Sequence, residues 1–232
     1  MIIPNVADNI DRFMKKYIIT ALFLIFTVLQ VSAQDAKTLF LSAPDSLTPL
    51  LTADNKADFI DFLKSKMKAE VKNVFQKKSE MTDLTNDYIS IRMSEESEWK
   101  MKVLPVNDST KVICLITTVS GPVADSHIRF FNSKWKEIPA EQFIKLPSMD
   151  NFFTAPTTTN DSILNKYQEA RLLADILFYS ANFSKDDYSL TVTFTTPDFA
   201  DKDSADKIRL FARKNIIYRW NKGKYEVGNP LS

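Results

Sequence analysis

The chain has 232 residues, 44% of them hydrophobic and 12% aromatic, enough to bury a substantial core in one domain or in two small ones that share a sheet. Its 30 Lys and Arg nearly balance 29 Asp and Glu, which argues against nucleic acid as the main partner. A single cysteine, Cys114, and a single histidine, His127, exclude intramolecular disulfides, multi-cysteine zinc sites and histidine-rich metal sites, and the three glycines form no phosphate-cradling loop.

The N-terminus carries an export signal. Lys15 and Lys16 precede the uncharged run Tyr17 to Ala33, whose apolar centre, Ile18 to Leu29, is shorter than the roughly 20 residues a membrane-crossing helix needs. Val31-Ser32-Ala33 supplies small residues for a signal peptidase, so cleavage between Ala33 and Gln34 is expected, with no transmembrane anchor afterwards. Asp8 and Asp11 would blunt the positive region, which places the true start at Met14. Residues 1–33 are therefore read as leader and 34–232 as a periplasmic or secreted protein, with 27 charges of each sign.

The mature chain opens with Lys37 to Leu51, apolar but broken by Pro44 and Pro49, and read as an irregular arm. A helix is expected from Asn55 to Phe75, capped by Asn55 and striped by Phe59, Leu63, Met67, Val71 and Val74. Strands follow at Tyr88–Met93 and Trp99–Leu104, joined through the turn Ser94-Glu-Glu-Ser97. Val112 to Val119, after the turn Asn107–Thr110, reads as a central strand, and Ile128 to Phe131 as another. Lys145 to Asn160 links this unit, residues 34–145, to a second, residues 146–232.

The second unit repeats the grammar: a helix from Asp161 to Ser180 capped by Asn160, then an alternating strand in Asp187–Thr195. Further strands are expected at Ile208–Phe211, Ile216–Trp220 and Tyr225–Val227. The fold class is thus α+β: two helix-plus-antiparallel-meander units, a possible tandem duplication, with helices on one face of the sheet and the other face free.

Several segments resemble a family of secreted proteins of Bacteroidetes bacteria known only as a domain of unknown function. They are Ala43–Thr52, Asp58–Phe62, Met67–Val71, Ser79–Thr85, Ile91–Ser94 and Lys102–Thr110. The resemblance implies an envelope or extracellular address and brings no activity with it. The duplicated topology is also similar to the tandem architecture of the β-lactamase inhibitor protein and PepSY-like domains, a likeness of fold that does not transfer function. Within that phylum, Asp-Ser followed by an aliphatic residue or threonine resembles an O-glycosylation motif, which makes Ser46, Ser109, Ser162 and Ser204 candidate acceptors.

No residue pattern points to catalysis, and no cofactor or metal is expected. Cys114, inside an apolar strand, reads as a buried small hydrophobe, and His127 as a surface strand position. The acidic stretch Asp198–Asp206 lacks the glycine and distal glutamate of a calcium loop and reads as a solvated hairpin loop. Trp99, Trp135 and Trp220 are the candidate binding surface, set against the plainer reading that they seal the core. The function expected is a non-enzymatic envelope module binding a protein or a glycan. The alternative is a carboxylate-dependent hydrolase of envelope polymers, which needs two close acids in a cleft rather than a turn pair such as Glu95/Glu96.

Overall fold

Hydrogen-bonding side chains set where the first helices begin. The computed structural model describes residues 35–228; residues 1–34, which hold the expected leader and its expected cleavage point at Ala33 and Gln34, lie outside the described residues. Asp35 accepts from the Thr38 amide at 2.7 Å and starts α1 (Ala36–Leu41), so the arm expected to be irregular is partly helical. A single 3-10 turn, Asp45–Leu47, follows. Helix α2 (Ala53–Lys64) begins with a reciprocal capping box: Thr52 Oγ1 accepts from the Asn55 amide, and Asn55 Oδ1 accepts from the Thr52 amide, both at 3.1 Å. Asn55 is therefore the third helical residue and not the cap.

The helix also ends eleven residues earlier than the 55–75 reading. Lys66 turns into the left-handed region at φ 56°, Met67 is exposed, and Val71 lies on strand β1 (Glu70–Lys72). The spacing of Met67, Val71 and Val74 is served as well by a turn and a strand as by a helix, which is why periodicity misled here.

A meander follows: β2 (Lys78–Leu84), β3 (Tyr88–Arg92), β4 (Ser97–Pro105), β5 (Lys111–Ser120), β6 (Ala124–Phe131) and β7 (Glu137–Ile138). The seven strands lie in chain order and are antiparallel throughout. Strand β2 was not expected from the sequence: Met81 is its only buried apolar side chain, so the alternating signal is faint.

Side chains alternate between the two faces of this sheet. Ile89, Ile91, Trp99, Met101, Ile113 and Leu115 pack with Leu39 and Phe40 of α1 and Phe59 and Ile60 of α2. Tyr88, Leu104, Val112, Cys114, Ile128 and Phe130 face the other way, into a second cluster. Residues Val112–Ile116 of β5 are all buried, because both faces of that strand are covered.

The cover on the second face comes from the C-terminal half. After α3 (Met149–Phe152), α4 (Asp161–Leu173) starts at Asn160, whose Oδ1 accepts from the amides of Ser162 and Ile163. It stops seven residues short of the expected Ser180, and Tyr179 begins strand β8 (Tyr179–Phe183). Strand β9 (Leu190–Phe194), α5 (Thr196–Phe199), α6 (Lys202–Phe211), β10 (Asn215–Asn221) and β11 (Lys224–Val227) complete the chain. Ile208–Phe211, expected as a strand, is the end of α6: Asp201 caps the helix, and Ala205 and Ile208 are buried three residues apart. A four-residue apolar run cannot distinguish helix from strand by itself.

A helix followed by an antiparallel sheet occurs twice, as expected for this α+β chain. The second sheet, ordered β11-β10-β9-β8, is interrupted by α5 and α6 between β9 and β10. It packs its inner residues, Ala181, Leu190, Val192, Ile216 and Tyr218, against β4, β5 and β6 of the first sheet. The face expected to be free is thus occupied over those strands. Over β1–β4 it carries the cross-strand row Glu70, Glu80, Arg92 and Glu98, knit by Lys68–Glu70 at 2.7 Å, Lys78–Glu70 at 3.0 Å and Arg92–Glu80 at 3.3 Å. Among the described residues no helix is long and apolar enough to cross a membrane.

Candidate functional site

The three tryptophans are placed inside the molecule. Trp99 is 1% exposed and donates its indole N–H to the Leu47 carbonyl at 2.9 Å. Trp135 is 9% exposed and donates to Leu39 O at 3.1 Å. Trp220, half-buried, donates to Pro105 O at 2.6 Å and packs edge-on against Tyr225. Each ring ties a distant segment to a sheet and satisfies its one donor there, which is the core-sealing role.

The remaining sequence candidates lie apart from one another. Ser46, in the 3-10 turn, Ser109, in the β4–β5 turn, and Ser162, in the first turn of α4, are exposed; Ser204, in the first turn of α6, is half-buried. Glu95 and Glu96 are exposed in the β3–β4 turn, where Ser94 Oγ donates to Glu96. Burial pushes the Cys114 thiol well above its ordinary range, so it stays protonated and inert at neutral pH. The acidic stretch forms helices and not the expected hairpin loop: Asp201 accepts from the amides of Asp203 and Ser204, and Asp198 pairs with Arg209 at 2.7 Å. Among the described residues no three metal-ligating side chains cluster.

The arrangement with the most chemistry lies at the β6–β7 edge of the first sheet. A strand sends residues i and i+2 to one side, so β6 projects His127 and Arg129 together. Glu137 of β7 stands directly opposite Phe131 and therefore on that same side. Pro139 ends the strand and opens the 3-10 turn Ala140–Gln142, which carries Glu141. With Leu146 as an apolar wall, these residues line a hollow of about 450 Å³.

Within the hollow, Arg129 is braced from below. Its guanidinium lies 5.4 Å from the centre of the Phe131 ring, and Phe131 packs on Trp135 at 5.5 Å. Its Nε is buried and has no hydrogen-bond partner among the described residues. Neither Glu137 nor Glu141 pairs with Arg129 or with any other described cation within 4.0 Å. One cation, one imidazole and two carboxylates thus face a shared space without neutralising each other. In the sequence His127 stands alone as a strand position and nothing marks Glu137 or Glu141, since only the return of β7 brings them beside it.

The family model described as Protein of unknown function (DUF3256) matches residues 28–225, and the chain belongs to that family. Among solved structures the chain is similar to a domain of an uncharacterized protein from Porphyromonas gingivalis W83. The two are 25% identical and superpose with a TM-score of 0.71, over 83% of this chain and 96% of that one. No curated protein matches the chain. The family match and the organism of that structure agree with the Bacteroidetes resemblance, whereas the likeness to the β-lactamase inhibitor protein and PepSY-like domains has no support from either.

Proposed function

We propose that this chain is an exported, non-enzymatic envelope protein that binds a short peptide-like ligand carrying both charges in the β6–β7 hollow. The observation that carries this reading is the set of opposite charges around one space that form no ion pair among the described residues: the Arg129 guanidinium, to face a ligand carboxylate, and Glu137 and Glu141, to face an ammonium or guanidinium. A volume of about 450 Å³ lies in the ordinary range for small-ligand sites. Export rests on the leader, and a peptide suits this hollow better than a glycan, because its lining holds no Phe, Tyr or Trp for a sugar ring to stack on.

Titration calorimetry of the mature protein, residues 34–232, with tripeptides of either, both or neither terminal charge tests the ligand class. Peptides with both termini charged should bind, capping either end should weaken binding about tenfold for each charge-assisted hydrogen bond removed, and Arg129→Gln should abolish the preference for a free carboxylate. Equal binding of capped and uncapped peptides would sink the reading. Intact mass of the protein from its host reads the leader and the acceptors together: an N-terminus at Gln34 is expected, and any added glycan should disappear from variants at Ser46, Ser109, Ser162 or Ser204.

Glu137 and Glu141 also favour a second reading, the carboxylate-dependent hydrolase, since two acids line the same hollow. Its mark would be turnover of an envelope polymer that Glu137→Gln or Glu141→Gln abolishes. Binding without turnover by the unaltered protein selects the first reading.

A further inference from the structure

We propose a second, separate site: the hollow between the end of β9, helix α5 and the α6–β10 connection binds a phosphoryl group. It has a volume of about 410 Å³ and is lined by Thr193 of β9, Pro197 and Asp198 of α5, Arg209 of α6, and Arg213 and Lys214 of the connection. Three cations meet a single carboxylate on that lining. The excess of two positive charges matches a phosphate monoester, which carries roughly −1.5 to −2 near pH 7, better than it matches a carboxylate.

Arg209 is held by Asp198, the one carboxylate of the lining, and Arg213 by backbone carbonyls outside the space. Arg209 is fixed by Asp198 at 2.7 Å, and Asp206 stands 3.7 Å from its other terminal nitrogen without lining the hollow. Arg213 donates its Nε to the Asn151 carbonyl and its backbone amide to Phe152 O at 2.7 Å. Its two terminal amino groups have no partner among the described residues, so the planar fork is aimed and unspent. Lys214 forms no ion pair among the described residues, and its carbonyl accepts from the Phe194 amide at 2.8 Å, which ties its backbone to the end of β9. The Thr193 hydroxyl adds a donor, since β9 turns its even-numbered residues Leu190, Val192 and Phe194 into the core and Thr193 outward. An aimed arginine fork, a flexible ammonium and a hydroxyl around one space form a phosphate-recognition set.

The phosphoryl group could belong to a soluble ester or to a lipid headgroup, and one experiment separates these. Amide chemical shifts of the mature protein are followed during titration with inorganic phosphate, glycerol 3-phosphate and acetate at constant ionic strength, alongside flotation with vesicles containing phosphatidic acid. The site predicts saturable shifts at Thr193 and Lys214 with both phosphates and at least tenfold weaker binding of acetate. The double variant Arg213→Gln, Lys214→Gln should lose phosphate binding about tenfold or more while staying folded, its melting temperature lowered only slightly, since both side chains are exposed and one surface hydrogen bond, Arg213 to Asn151 O, is lost. Flotation in addition assigns the group to a lipid; phosphate binding without flotation assigns it to a soluble ester. No saturable shift, acetate binding as tightly as phosphate, or a double variant that binds like the parent would overturn the site. Arg129→Gln, at the other hollow, should leave phosphate binding unchanged, so the two readings fail independently.

Discussion

Lys102 shows how far tertiary context can override residue type. Its side chain is 1% exposed between the two sheets, 3.4 Å from Asp87, with its ammonium donating to Ser184 O at 3.1 Å and lying 5.4 and 5.6 Å from the rings of Tyr88 and Tyr188. The partner Asp87 keeps a third of its surface in water. Removing the two partners should therefore have unequal costs. Asp87→Ala strands a buried ammonium and should destabilise by about 3 kcal/mol, whereas Lys102→Met leaves a carboxylate that water can solvate and should cost about 1 kcal/mol or less. Urea unfolding of both variants checks the order; equal losses would mean that Asp87 does not compensate the charge. No sequence pattern announces such a lysine, because Lys100 and Lys102 alternate along β4 as solvated residues would.

At the scale of elements, turn chemistry was legible and helix length was not. The Asn221–Lys224 turn is legible from its residues and is present, with Lys222 at φ 45° and Gly223 at φ 84° joining β10 to β11. A Cβ on Gly223 would adopt an unfavourable φ and sit 3.0 Å from Val106 Cγ1 and 3.4 Å from Val106 O. Gly223→Ala should therefore cost about 1–2 kcal/mol, seen as a lower melting temperature, while a change at Gly121, which meets nothing within 4 Å, should be nearly silent. Helix ends were misjudged where an apolar residue beyond the stop kept the same spacing, as Val71 does after α2. A short run such as Ile208–Phe211 fits helix and strand alike, and a neighbour, here α4 packing on α6, decides which period matters.

At the scale of the molecule, the layer between the sheets is rich in tyrosine, and this sets its response to alkali. Desolvation raises the phenols of Tyr88 and Tyr179, pushes Tyr218 up to about 12, and raises Tyr225 well above its ordinary value. An unfolded tyrosine ionises near pH 10, so these groups leave stability untouched below that value; it falls as pH rises from about 10 towards 12, while only the unfolded chain releases its protons. Urea midpoints at pH 8, 10 and 11.5 should show the fall, and Tyr218→Phe should flatten it. Tyr225→Phe should also stabilise by about 1 kcal/mol at pH 7, since the buried hydroxyl has no partner to lose. The sequence by itself determined the α+β class, the four central strands of the meander, the capping of α4 and the burial of Cys114, because alternation, caps and turns are local signals that survive without a partner surface. Only the tertiary structure decided that the second sheet covers the first, that the tryptophans face inward, and that His127 and Arg129 meet Glu137 and Glu141. Those outcomes depend on which face another segment desolvates and on the return path of a two-residue strand, and neither is encoded in the spacing of residues along one element.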